Sequence, residues 1–351
     1  MKIKPMTKFA ILALSLVLVA CAGGGSEEAG CPAIDGREIN VVATTPMIGE
    51  FVSQVGGEKI NLTVLMPPEA NPHTYEPAPQ DAGTIAEADL VFYTGLLYEP
   101  AALVKLLENS ACSTDILSEV GESVFPIEFK EGGHDDHDDH DDHDDEEGHD
   151  DEEGHDDEEG HDDEEGHDDH EGHNHGAYDP HFWFDPSRVA YAAEYIESRL
   201  IEFDPENESS YKSSADSFVS ELNDLTKQVS ELISTVPSQN RKLITTHESL
   251  GYLEAKFGLE VLSTIIPSLN SANEISPSDL AGVIDVIEDN NVKVIFIESE
   301  APSVYSETIV AETGIKSVTG LYVETLKPGQ SYSEFLISNV KLITENLQDT
   351  D

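Results

Sequence analysis

From residue 39 onward, short unbroken apolar runs alternate with longer stretches whose apolar residues recur every three or four positions. Runs of about four to eight fit strands buried on both faces, and the three-to-four spacing fits amphipathic helices. The first half reads as strand 39–44, helix 46–55, strand 60–65, a helical segment, and strand 90–93 (LVFY). The second half reads as strand 242–246 (KLITT), helix 250–257, strand 259–265, helix 277–290, strand 292–297 (VKVIFI), helix 304–313 and a last helix over 332–347. Between them lie a helix over 186–203 and a long one over 206–236, where Tyr211, Phe218, Leu222, Leu225, Val229 and Leu232 keep helical spacing up to Pro237. Strands alternating with helices predict parallel sheets. The expected fold is therefore α/β: two lobes with parallel sheets, joined by one long rigid helix.

Two segments break this pattern. Residues 1–20 carry lysines first, then an apolar stretch too short for an ordinary membrane span, then a small residue before Cys21, which reads as an export signal. Leu18-Val19-Ala20-Cys21 resembles the bacterial lipobox, so Cys21 is expected to carry the lipid, with 21–37 as a flexible anchored linker. An exported chain meets an oxidising compartment, and Cys31 and Cys112 are the only cysteines left. They are expected to form a disulfide that pins the mature N-terminus to the first lobe.

The second break is a run of HDD triplets and GHDDEE repeats over 133–177. Eleven of the fourteen histidines fall in it: His134, His137, His140, His143, His149, His155, His161, His167, His170, His173 and His175. Without Lys, Arg or an aromatic residue between 134 and 175, the run has no apolar surface to offset its ordering entropy and is expected to be disordered. Imidazole and carboxylate together suit transition metals held weakly at several places; a purely solvating acidic spacer would not need the histidines.

Charge narrows the partners. Residues 131–175 hold 26 of the 72 acidic side chains and no basic one, so of the net charge of −54 the rest of the chain still carries −28. Such a surface repels nucleic acid. The expected organisation is signal 1–20, linker 21–37, N-terminal lobe 38–132, histidine-rich loop 133–177, a motif segment with the long helix over 178–237, and C-terminal lobe 238–351.

The three remaining histidines each sit in a compact polar motif. His73 lies in a loop stiffened by Pro67, Pro68, Pro72, Pro77 and Pro79; His181 stands between prolines beside Trp183, the only tryptophan; His247 follows the strand KLITT, where ligands of open α/β sheets collect. Taken singly, a histidine is more often a satisfied surface or core residue. Three of them at loop or strand ends, with no other outside the repeat run, point to one metal site.

The motifs NPHTYEP, DPHFWFDP directly after a His/acidic loop, THESLGYLEAKFGLEV, VKVIFIESE, and AETGIKSV followed by LYVETL resemble, in order and over nearly the whole mature chain, the zinc-uptake substrate-binding lipoproteins of ABC transporters. The resemblance implies α/β lobes bridged by a rigid helix, with metal in the cleft held by His73, His181, His247 and a fourth, acidic position. Manganese-type relatives usually have Glu third and Asp fourth; His247 in the third place favours zinc, because Mn²⁺ prefers oxygen. At the fourth place Glu324 stands where the family usually has Asp, one methylene longer. It is the expected ligand, with water or Glu298 as alternatives. Glu298, Glu248 and Asp179 are otherwise expected to support the site from behind the ligands, and Trp183, Tyr75 and Phe184 to close off the cleft by packing.

The function implied is a lipid-anchored monomer, outside the cytoplasm, that binds Zn²⁺ and hands it to a permease. A periplasmic metal buffer or surface adhesin displaying the repeat run, a manganese-binding relative, and a zinc hydrolase are the alternatives. No HExxH or G-x-S-x-G motif is present, and a Glu324 ligand would close the position that a catalytic water needs. Three histidine ligands of ordinary pKa, near 6.5, predict that affinity falls as pH drops through roughly 6.

Overall fold

The computed structural model describes residues 31, 34, 36–68, 70–129, 178–266, 276–299 and 304–348; the signal segment, Cys21 and the eleven repeat-run histidines lie outside them. In the first lobe the chain runs β1 Ile39–Ala43, α1 Pro46–Gly56, β2 Ile60–Val64, α2 Pro79–Ala86, β3 Leu90–Tyr93, α3 Ala101–Ser110 and β4 Leu117–Glu119. After the linking helices α4 Pro186–Phe203 and α5 Glu208–Ser234 comes the second: β5 Lys242–Thr245, α6 Gly251–Phe257, β6 Glu260–Thr264, α7 Pro277–Asn290, β7 Val294–Glu298, α8 Val304–Thr313, β8 Lys316–Leu321 and α9 Tyr332–Gln348. Each lobe has a four-stranded sheet, in the orders β2-β1-β3-β4 and β6-β5-β7-β8, and every strand pairing is parallel.

Both faces of each sheet are covered, as parallel sheets require. Along β1, Ile39, Val41 and Ala43 join one apolar cluster and Val42 another. Along β7, Val294 and Phe296 join that same first cluster, whereas Ile295 and Ile297 face a third, beneath α7 and α8. The shared cluster runs without interruption from β1 through α1, α4, α5 and α9 to β7. One core thus serves both lobes. At about 1.5 Å per residue, the 27 residues of α5 span ~40 Å, enough to brace the two halves together. Its Tyr211, Phe218, Leu222, Leu225 and Val229 are all buried.

Several boundaries differ from the pattern reading. The long helix is shorter at both ends, because Pro205–Asn207 forms a separate 3-10 turn and the helix closes at Ser234. Strands β4 (LSE) and β8 (KSVTGL) were not legible: one is three residues long, and the other is largely exposed and polar, so neither carries an apolar run. Among the described residues, no helix is long and apolar enough to cross a membrane.

Cys31 and Cys112 are joined, with Cα atoms 5.1 Å apart, inside the range a disulfide spans. The bond fastens residue 31 to the turn after α3. Protein lacking residues 1–21 should therefore show no titratable thiol before reduction, and Cys112→Ser should lower unfolding stability by about 2–4 kcal/mol in denaturant titration. Two free thiols in the unreduced protein would contradict the pairing.

Candidate metal centre

The functional side chains all sit at carboxyl ends of strands or in the segment that enters α4. After β2 the chain passes through prolines into a 3-10 turn, Pro72–Thr74, where the Asn71 side chain accepts the His73 N–H at 2.9 Å. Tyr75 then donates to Leu65 O and to Asp81 Oδ2; burial, reinforced by Asp81, pushes its pKa up to about 12. The tyrosine keeps its proton and pins the loop. Tyr75 thus shapes the approach of His73 rather than covering the cleft.

His181 is buried in the turn before α4. Asp179 Oδ1 accepts both its backbone N–H and its ring Nδ1–H, each at 2.8 Å. With Nδ1 protonated by that bond, the Nε2 lone pair is directed away from Asp179. His247, at the end of β5, repeats the device with Glu298 at the end of β7: Glu298 Oε2 lies 2.5 Å from Nδ1, and Oε1 accepts from the His247 backbone N–H and from Ser249 Oγ. Glu298 is fully engaged behind the imidazole and is not among the converging groups. Glu248 lines a neighbouring cavity of about 650 Å³ together with Asp179 and Ser249, and it too lies outside the converging set.

Glu324 follows β8 and arrives from the second lobe. Its Oε1 lies 3.1 Å from His73 Nε2, 3.4 Å from His181 Nε2 and 2.9 Å from His247 Nε2. The three imidazole nitrogens and one carboxylate oxygen lie within 4.8 Å of one another, the spread a single small cation bridges. Trp183 donates its indole N–H to Val323 O at 2.8 Å, and Tyr332 donates to Trp183 O. The tryptophan therefore holds the Glu324 strand end to the His181 segment, besides packing edge-on against the His181 ring. Phe184 packs against Phe335 farther from the cleft.

Charge is balanced inside the cluster. Burial opposes a charged His181 ring, but the Glu324 and Asp179 carboxylates outweigh it and push its pKa up to about 9. His247 is likewise buried and nonetheless raised well above the ordinary histidine value, by Glu298 first and then Glu324. Burial would raise Glu324, but the surrounding imidazoles hold it well below the usual carboxylate range. The centre thus holds a charged Glu324 carboxylate beside the protonated His181 and His247. A cation entering it meets a full carboxylate and displaces protons.

One residue escaped the pattern reading. Tyr98, in the loop after β3, donates its hydroxyl to Glu324 Oε2 at 2.8 Å and packs edge-on against His73. Its position after the glycine at a strand's carboxyl end was the available signal.

Two parallel α/β lobes over a shared core, with a buried His₃Glu cluster between them, define a two-lobed binding protein for a metal ion. A profile of the family described as zinc-uptake complex component A, periplasmic, matches residues 41–346. The chain belongs to that family. It is 27% identical over 349 residues to the high-affinity zinc uptake system protein ZnuA of Bacillus subtilis (strain 168), covering 97% of this chain and 96% of that one. It is 25% identical over 354 residues to the manganese ABC transporter substrate-binding lipoprotein PsaA of Streptococcus anginosus, covering 98% and 99%. The periplasmic zinc binding protein TroA from Treponema pallidum superposes with a TM-score of 0.69 at 20% identity, over 88% of this chain and 99% of that one, a likeness of fold. The chain is thus a substrate-binding component of a metal ABC transporter, a class of binding proteins and not of enzymes.

Glu298 makes its contribution through His247, so Glu298→Gln should leave the fold intact and weaken metal binding about 10- to 100-fold in a chelator-competition titration. Unchanged affinity would show that the His247 ring needs no brace.

Proposed function

We propose that this protein is exported, held at the membrane by a lipid on Cys21, and binds Zn²⁺ as a monomer for delivery to an ABC permease. The observation that carries the reading is the convergence of three imidazole Nε2 atoms and one carboxylate oxygen from His73, His181, His247 and Glu324. Nitrogen-rich, four-group sites suit zinc, whereas Mn²⁺ favours more oxygen and higher coordination. Manganese is the second reading, favoured by the naming of relatives such as the streptococcal lipoprotein. A lipoprotein anchor agrees with that relative's name and with the Leu-Val-Ala-Cys motif at 18–21. Replacing His181 with Ala should abolish tight zinc binding measured by calorimetry. Retention of one tight zinc would overturn the assignment.

The repeat run over 133–177 serves in this reading as an accessory that gathers cations through its carboxylates and imidazoles and passes them on to the cleft. Deleting 133–175 should leave one tight zinc per chain with a Kd within about threefold, well under the ~1.4 kcal/mol of a tenfold change, while lowering the total zinc bound. Loss of nearly all binding would favour a metal buffer instead.

The pH dependence follows from the caged carboxylate. Below about pH 9 the metal-free His181 keeps a proton, which zinc must expel, so each displaced proton lowers apparent affinity about tenfold per pH unit of acidification. Affinity should climb from pH 6.5 to about pH 9, instead of levelling off just above the roughly 6 expected of unperturbed imidazoles. The neighbouring carboxylates move the onset upward. Titrations of the protein lacking 133–175 that are flat between about pH 7 and 8.5 would contradict this proton count.

A further inference from the structure

We propose that Tyr98 sets metal preference by keeping the Glu324 carboxylate monodentate, which caps the centre at four protein ligand atoms. The inference rests on the zinc reading of the site given above and names a residue that acts on it through Glu324.

The two oxygens of Glu324 have different surroundings. Oε1 faces His73, His181 and His247 at 2.9 to 3.4 Å, whereas Oε2 accepts the Tyr98 hydroxyl at 2.8 Å. That hydroxyl also lies 3.2 Å from the Glu324 backbone oxygen, so it is registered on both ends of the residue. A carboxylate whose second oxygen is held this way is restrained from turning to chelate a cation with both oxygens. Three imidazoles and one oxygen then make a four-coordinate set, which Zn²⁺ accepts readily and Mn²⁺, which seeks more oxygen donors, does not.

The tyrosine is placed by a loop built for the purpose. Gly95, Leu96 and Leu97 have φ of 77°, 53° and 61°, and two consecutive leucines in left-handed conformation persist only where the surroundings impose it. Buried Glu99 accepts the N–H groups of Thr94 and Gly95 and the hydroxyl of Thr44, while Glu119 accepts the N–H of Leu96. A Cβ on Gly95 would stand 2.1 Å from the Glu119 carboxylate. These bonds fix the turn, and Tyr98 leaves it fully buried, edge-on to His73, His181 and Trp183. The ring is immobilised, so the hydroxyl cannot follow Glu324 if the carboxylate rotates.

The test is Tyr98→Phe, which removes the hydroxyl and keeps the ring. Zinc and manganese affinities of the variant and the parent are measured by competition against a chromophoric chelator. The ratio of zinc to manganese affinity should narrow at least fivefold; a smaller change overturns the proposal. Should the variant not fold, Co²⁺ bound to the parent decides: an intense tetrahedral visible spectrum is required, and the weak spectrum of a five- or six-coordinate ion overturns it. Failure of the underlying site reading is a different result, tight zinc binding that survives His181→Ala in the parent.

Discussion

The metal centre is organised around one buried anion. Glu324 is 1% exposed and would be costly to hold in the interior unless paired. It is paired three times over, by imidazoles from three separate parts of the chain, and the pairing is possible only if both lobes stand still. His73 comes from the first lobe, His181 from the segment entering α4, and His247 with Glu324 from the second lobe. An error of an ångström in the relative placement of the lobes would strand the carboxylate among uncompensated groups. The shared core running from β1 through α1, α4, α5 and α9 to β7 is the mechanical answer to that electrostatic demand.

The candidate ligands are not held alike. His181 and His247 each lean on a buried carboxylate, Asp179 and Glu298. His73 has no such brace: its Nδ1 is buried without a hydrogen-bond partner among the described residues, and the ring depends on the proline-stiffened turn and on the edge of Tyr98. Backbone rigidity there does what side-chain hydrogen bonds do at the other two.

Much of this was legible beforehand, for physical reasons that can be named. Strands such as LVFY and VIFIE are buried on both faces, so their sequences are unbroken and apolar and announce themselves. α5 keeps its three-to-four spacing because one face lies on the core for its whole length. The three site histidines stood out because no other histidine exists outside the repeat run. β8 was invisible because an exposed edge strand has no need of apolar residues. Tyr98 was missed because its role depends on a contact across 226 residues of sequence, and its one local signal, a place in the loop after a strand's carboxyl end, does not say what the side chain touches. Glu298 and Glu324, both at strand ends in the same lobe, are alike in sequence. Only their distances separate brace from ligand candidate.

The braces also carry a cost. A carboxylate behind an imidazole makes the far nitrogen a better donor to a cation, and by the same electron density a better base. Asp179 and Glu298 therefore strengthen proton binding along with metal binding, and basicity alone favours zinc over neither protons nor competing cations. What distinguishes a metal ion from a proton here is that one cation can touch three nitrogens and an oxygen together, whereas each proton satisfies only one or two of them. On the assignment proposed above, preference resides in how many donor atoms the frame allows to converge, and the hydrogen bonds that restrain Glu324 count beside the groups that face the ion.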